Sequence, residues 1–133
     1  MIAGLFGDLL ATGGVQTAGR HTAAALAAIA HEQGTSYRFL SLNDPEGEHE
    51  SCVGDLRFTF RGFSRGKLRF GLAALRLARA GSQVVVAGHP HLALLAAAMK
   101  KVAPRLRVIV LAHGVEVWTP LPLLRRCSLR RAD

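Results

Sequence analysis

Cysteine is scarce in this 133-residue chain, which holds only Cys52 and Cys127. The two lie far apart and form no paired-spacing motif, which excludes a disulfide framework and fits a reduced, cytoplasmic setting. Aromatic residues contribute 6% of the chain while half of it is hydrophobic, so alanine and the aliphatics must supply most of the packing. Long apolar runs are missing too. The greasiest stretch, VVVAGHPHLALLAAAM, is broken by His89-Pro90-His91 and falls short of the roughly 20 residues that span a bilayer. The opening MIAGLFGD has no basic residue ahead of its apolar run and carries Asp8, unlike a secretory signal. Acidic residues number nine against 17 Lys and Arg, a formal charge of +8. That balance favours an anionic partner, whether phosphorylated ligand, nucleic acid or acidic lipid.

The length suits one domain with its own core. Apolar runs and helical periodicity alternate along it. Residues 2–6 read as a first strand, and residues 15–33 as a long helix with Val15, Ala18, Thr22, Leu26 and Ile29 on one face. Residues 37–42 and the alternating LRFTFR of residues 56–61 read as strands. Between them, residues 43–55 hold five of the nine acidic residues and read as a flexible surface loop. Residues 64–80 read as a basic helix, 83–87 as a buried strand, 90–102 as a helix opened by proline, 106–112 as a second buried strand and 120–131 as a final helix. Near-continuous Val, Ile and Leu strands between helices predict an α/β fold, a Rossmann-like, mostly parallel sheet with helices on both faces. Ligands of such folds sit beyond the C-terminal ends of the strands.

The unusual residues fall at those ends. Thr12-Gly13-Gly14 lead directly into the first helix, whose N-terminal amides attract phosphate or carboxylate. Two side-chain-free positions let a ligand approach those amides, or they simply make a tight turn; Thr12 is placed either to cap the helix or to touch the ligand. The pattern is neither GxGxxG nor the P-loop lysine motif. His89 and His91 flank Pro90 at the next strand end, suited either to hydroxyl binding and proton transfer or, for His89, to capping the following helix. His113 follows the last buried strand, with Gly114, Glu116 and Trp118 close behind. The three histidines lack zinc-site spacing, and no metal is expected.

Gly13-Gly14-Val15-Gln16-Thr17, His89-Pro90-His91 and the run AHGVEVW from Ala112 to Trp118, in this order and spacing, resemble family 4 glycosyltransferases of the GT-B fold. The resemblance covers essentially the whole chain as the N-terminal, acceptor-side domain of such an enzyme, and Leu129-Arg130-Arg131-Ala132-Asp133 resembles the helix before the family's crossover. It implies transfer of a sugar from a nucleotide-sugar donor to an acceptor with retention at the anomeric carbon, and no required cofactor or metal. It places Gly13 and Gly14 against the donor diphosphate and His113, as catalytic residue, beside the transferred sugar. His89, His91 and Glu116 fall to the acceptor or cleft wall. The family's second domain carries the nucleotide pocket and two spaced glutamates, and the 133 residues do not include it. This chain alone is therefore expected to be nearly inactive, with that domain supplied in the same polypeptide or as a separate subunit.

Arg65, Arg69, Arg76 and Arg79 fall on one stripe of the expected basic helix, with Leu72 between them and Phe58, Phe60, Phe63 and Phe70 nearby. A basic, apolar-edged stripe suits an anionic membrane, as a peripheral protein on the inner face of the cell membrane. Family members with lipid-linked acceptors are similar in carrying such a surface. No RNA- or DNA-binding motif accompanies the charge, so nucleic acid is not an expected partner. Two other readings compete with the transferase. One is a non-catalytic module that binds anionic membrane through these arginines. The other is a stand-alone phosphate-ligand domain using the Thr12-Gly13-Gly14 loop.

Overall fold

A computed structural model describes residues 1–113; the expected final helix and the residues Glu116, Trp118 and Cys127 lie outside them. The elements run β1 (Ile2–Phe6), α1 (Gly14–Glu32), β2 (Tyr37–Ser41), β3 (Gly47–Val53), β4 (Leu56–Gly62), α2 (Lys67–Arg79) and β5 (Val84–Ala87), then a single 3₁₀ turn (Pro90–Leu92), α3 (Ala93–Val102) and β6 (Arg107–Val110). They form one six-stranded sheet in the order β3-β4-β2-β1-β5-β6. Every neighbouring pair is parallel except the β3–β4 hairpin at the edge. With helices on both faces, this is the Rossmann-like α/β arrangement that the alternation predicts. The chain moves outward from β1 through β2 to β4, then returns to the other side of β1 with β5. That reversal makes the C-terminal ends of β1 and β5 the topological switch point.

The two faces of the sheet are packed by different chemistry. On the α1 face, Phe6, Phe39, Phe58 and Phe60 rise from the strands, and Ala23, Ala24 and Ala27 of α1 lie over them. Phe39 takes the rings of Phe6 and Phe58 edge-on at 5.9 and 6.2 Å. On the other face Leu5, Leu40, Val85 and Val108 meet Phe70 and Ala74 of α2 and Ala96 and Met99 of α3. The aromatic side explains why α1 turns its alanines inward rather than the expected face. Gly19, Ala23, Ala24, Ala27 and Ala30 are buried, whereas Val15 and Ile29 are 38% and 40% exposed. Large rings on the strands already fill that layer, so close packing admits only small residues from the helix.

Residues 43–55 do not form the expected loop. Asp44 is buried, and residues 47–53 are β3, paired residue for residue with β4 from Gly47–Gly62 to Val53–Leu56. The hairpin closes through Gly54-Asp55, with Gly54 at φ 58°, the glycine-first two-residue turn that fits strand twist. Charged positions alternate on β3, so Glu48 and Glu50 point to water while His49 stacks on Phe60 at 5.3 Å. Charge of this kind is normal on an edge strand, where it discourages further strand addition.

The basic helix is also shorter than its expected 64–80 span. Ser64 and Arg65 hold left-handed φ values of 46° and 65°. Their amides bond to the carbonyls of Asp44 and Leu42 at 2.8 and 2.7 Å, which ties this turn to the β2–β3 connection before α2 begins. Arg65 therefore lies off the helix, and the four-arginine stripe is reduced to Arg69, Arg76 and Arg79. Phe58, Phe60, Phe63 and Phe70 are all core residues, so none of these four aromatics forms a surface beside the arginines.

Candidate functional site

The site begins where β1 stops. Beyond Phe6 the chain runs through residues 7–13 before α1, and this loop is strapped from two sides. The buried carboxylate of Asp44 accepts from the Leu9 amide at 2.7 Å through Oδ2 and from the Leu10 amide at 3.2 Å through Oδ1. Ser41 Oγ donates to the same Oδ2 at 2.6 Å. From the helix side, Arg20 Nη1 donates to the carbonyls of Leu9 and Ala11 at 2.9 and 2.8 Å, and Nη2 to Thr17 Oγ1 at 3.0 Å. Asn43 Nδ2 donates to Asp8 Oδ2 at 3.2 Å. Charge-assisted hydrogen bonds of this kind fix a loop more firmly than neutral ones.

Gly13 and Gly14 then do different things. Gly13 is the N-cap of α1 at φ 149° and ψ 164°, a region open essentially to glycine alone. A Cβ there would also run into the Gln16 side-chain amide. Gly14 has no unusual φ, and a Cβ on it would meet nothing within 4 Å. Thr12 does not cap the helix: α1 has no side-chain cap and no acidic residue in its first turn. Its leading amides stand behind exposed, side-chain-free backbone, the arrangement that suits an anion.

The adjoining wall comes from β5. The Gly88 amide bonds to the Leu5 carbonyl at 2.8 Å, and a Cβ on Gly88 would stand 2.7 Å from the Phe6 ring. Only glycine lets the end of β5 close against β1. His89 Nδ1 accepts from the His91 amide at 3.1 Å, so His89 does cap the 3₁₀ turn, and its proton sits on Nε2. The two imidazoles stack at 4.4 Å and 7°, with His91 exposed. His113 follows β6 with its ring 6.4 Å from that of His89. Its Nε2 donates to the Gly88 carbonyl at 2.8 Å, which fixes both the tautomer and the ring direction.

Between these walls is a cleft of about 400 Å³, whose lining includes Gly7, Asp8, Gln16, Asn43, His89 and His91. Its chemistry is divided. The α1 end offers backbone amides to an anion, while Asp8 and the imidazoles offer partners for hydroxyl groups. Gly13 and Gly14 are not among the lining residues but directly precede Val15 and Gln16, which are. His113 reaches the site only through His89, 6.4 Å between ring centres, and through its bond to the lining residue Gly88. The structure thus gathers His89, His91, His113 and the glycine pair at one edge of the sheet. Arg76 and Arg79 lie in the last turns of α2 and line no part of this cleft, whereas the Arg65 amide bonds at 2.7 Å to the carbonyl of Leu42, a lining residue; Glu116 lies outside the described residues.

Asp44, Arg20, Asn43 and Gly88 were invisible as site residues in the sequence, since they act through contacts between distant positions. Their signals were a carboxylate beside proline at a strand end and a lone arginine early in an alanine-rich helix. Among the described residues no group of three or more His, Cys, Asp or Glu side chains is placed to hold a metal ion. No described helix is long and apolar enough to cross a membrane. No protein-family model matches the chain, and no curated protein matches it.

Proposed function

We propose that this chain is the acceptor-side domain of a retaining GT-B glycosyltransferase, moving a sugar from a nucleotide-sugar donor to an acceptor such as a lipid-linked or cell-envelope glycan. The observation that carries the reading is the uncapped N-terminus of α1 behind Gly13 and Gly14, on the same sheet edge as His89, His91 and His113. In this reading the donor diphosphate meets the α1 amides, where the helix dipole and unpaired N–H groups stabilise negative charge, including the charge that develops as the nucleotide leaves. His113, its ring held by Gly88, contacts the hydroxyls of the transferred sugar, and His89, His91 and Asp8 form the wall toward the acceptor. A second domain supplies the nucleotide pocket, and the chemistry needs no metal.

The test uses the polypeptide encoded by the whole reading frame, supplied with a panel of nucleotide-sugars and assayed for nucleotide release. Release that depends on a sugar acceptor, and that falls at least a hundredfold in His113→Ala with unchanged folding, is the expected result. Absence of release with every donor, or a fully active His113→Ala, overturns the reading.

A second reading rests on a separate observation. On α2, Leu68 and Leu72 are 77% and 46% exposed, set among Arg69, Arg76 and Arg79. This face suits the surface of an anionic bilayer, and sedimentation with anionic vesicles across a salt series tests it. Binding that survives reversal of all three arginines to glutamate rules it out.

A further inference from the structure

The β3–β4 hairpin is covered by α1 on one side only. Its other side carries Arg57, Thr59 and Arg61 of β4 and Glu48 and Glu50 of β3, all exposed. Leu40 of β2 is registered with Arg61, so these residues share a face with Leu40 and, two positions back, Arg38. β2 pairs with β1 over all five of its residues, but with β4 over only two, Leu40–Arg61 and Ser41–Gly62. Toward the start of β2 the strands part, and the Tyr37 hydroxyl accepts from the Thr59 amide at 3.2 Å across the gap. The parting opens a second cleft of about 420 Å³ on the α2 face. It is lined by Arg38, Arg61, Arg76 and Thr59, with Ala73 and Leu77 as the apolar wall and Glu48 as the one acidic side chain among the described residues.

Three arginines thus line one concavity from three elements, β2, β4 and α2. Of the other arginines nearby, Arg57 pairs with Glu50 at 3.0 Å and Arg69 with Glu46, while Arg79 does not line the cleft. Among the described residues Arg38, Arg61 and Arg76 make no ion pair. Glu48 is the direct cross-strand partner of Arg61, yet the guanidinium leaves it to lie over Phe63, 5.6 Å from the ring centre. Arg38 bonds only to its neighbour's carbonyl, at 3.4 Å. Like charges gathered without counter-charge repel one another, and a bound anion would relieve that repulsion. Guanidinium forks match phosphate oxygens better than any other side chain does.

We propose that this cleft is a second ligand site, independent of the glycine-loop edge, which binds a small soluble compound through a phosphomonoester or diphosphate group. The phosphate oxygens meet Arg38, Arg61 and Arg76, Thr59 adds a hydroxyl, and the remainder of the ligand rests on Ala73 and Leu77. The volume lies within the range of small-molecule sites.

The test titrates the isotope-labelled 133-residue chain with inorganic pyrophosphate at low ionic strength and follows the backbone amides by NMR. Saturable shifts at Arg38, Thr59 and Arg61 are expected, with affinity at least tenfold weaker in Arg61→Gln and in Arg76→Gln. Arg38→Gln, on a different element, gives an independent reading of the same loss, and thermal melting checks that each variant folds. Arg79→Gln is the control: it removes the same charge from the same helix turn but does not line the cleft, and its affinity should equal that of the parent. Equal weakening in Arg79→Gln would reduce the effect to net charge and overturn the proposal. Shifts confined to the Gly13–Gly14 loop, or no saturable shift, also overturn it. So does a response of these amides to anionic vesicles but not to pyrophosphate, which would assign the arginines to a lipid surface.

Discussion

The two clefts are built by opposite means. At the C-terminal edge of the sheet the walls are loop backbone and imidazoles, held by buried ties such as Asp44 and by the close fit of Gly88 against Phe6. Beside the hairpin the walls are long charged side chains standing on regular strands and a helix, with their heads in water. The first cleft is therefore coupled to the stability of the fold and the second is nearly free of it. Substitutions that reshape the first should cost folding free energy, while those that empty the second of charge should change binding alone.

The sharpest way to break that division is from below. Phe58 is buried at the centre of the α1-face aromatic layer and holds β4 to α1. Phe58→Ala should cost about 3–5 kcal/mol in urea denaturation, the usual range for truncating a core aromatic. It removes the platform on which Arg57, Thr59 and Arg61 stand. If the second cleft is a surface feature on a rigid hairpin, pyrophosphate binding should fail together with amide protection in β4, while any protection left at β1 and β5 is unaffected.

Asp44→Ala is the matching cut at the first cleft. It strips acceptors from the Leu9 and Leu10 amides and from Ser41, and leaves the Leu9 amide buried without its partner. Hydrogen bonds to a charged group contribute about 1.5–3 kcal/mol each, and they are not additive here. A total loss of about 2–4 kcal/mol in the same denaturation assay is expected. The Gly13 and Gly14 amides should shift in the NMR spectrum, while Thr59 and Arg61 stay in place.

How much of this was legible in the sequence follows the same division. Strands β5 and β6 announce themselves as Val, Ile and Leu runs, although β6, last in the order of the described sheet, buries only Val108 of its four residues and is not the buried strand expected. The strand-end positions of Gly13, Gly14, His89 and His113 follow from the alternation of elements. β3 was hidden because an edge strand needs no apolar face, and its alternating charges look like a loop. The inward face of α1 was hidden because alanine, not leucine, is what a layer of phenylalanines leaves room for. Asp44 ties Leu9 across 35 residues, and Arg20 reaches back 11 to the same residue; neither link has a period to detect. The second cleft depends on two strands parting, which only the register reveals.

The glycine pair gives the finest test, because the sequence treats its members as equals and the backbone does not. Gly13→Ala forces an L-residue into φ 149°, ψ 164° and pushes its methyl against Gln16. Conformations of that kind cost about 1–3 kcal/mol, and the loop should loosen accordingly. Gly14→Ala meets open space and an ordinary helical start. It should leave stability unchanged or raise it by about 0.4–1 kcal/mol, since alanine restricts the unfolded chain more than glycine does. Yet if a diphosphate comes close to the α1 amides, the added methyl stands in its path. Gly14→Ala should then weaken binding of the proposed nucleotide-sugar donor while the urea midpoint holds or rises. A variant that melts like the parent and binds donor equally well would mean that the open backbone at Gly14 serves the turn and not a ligand.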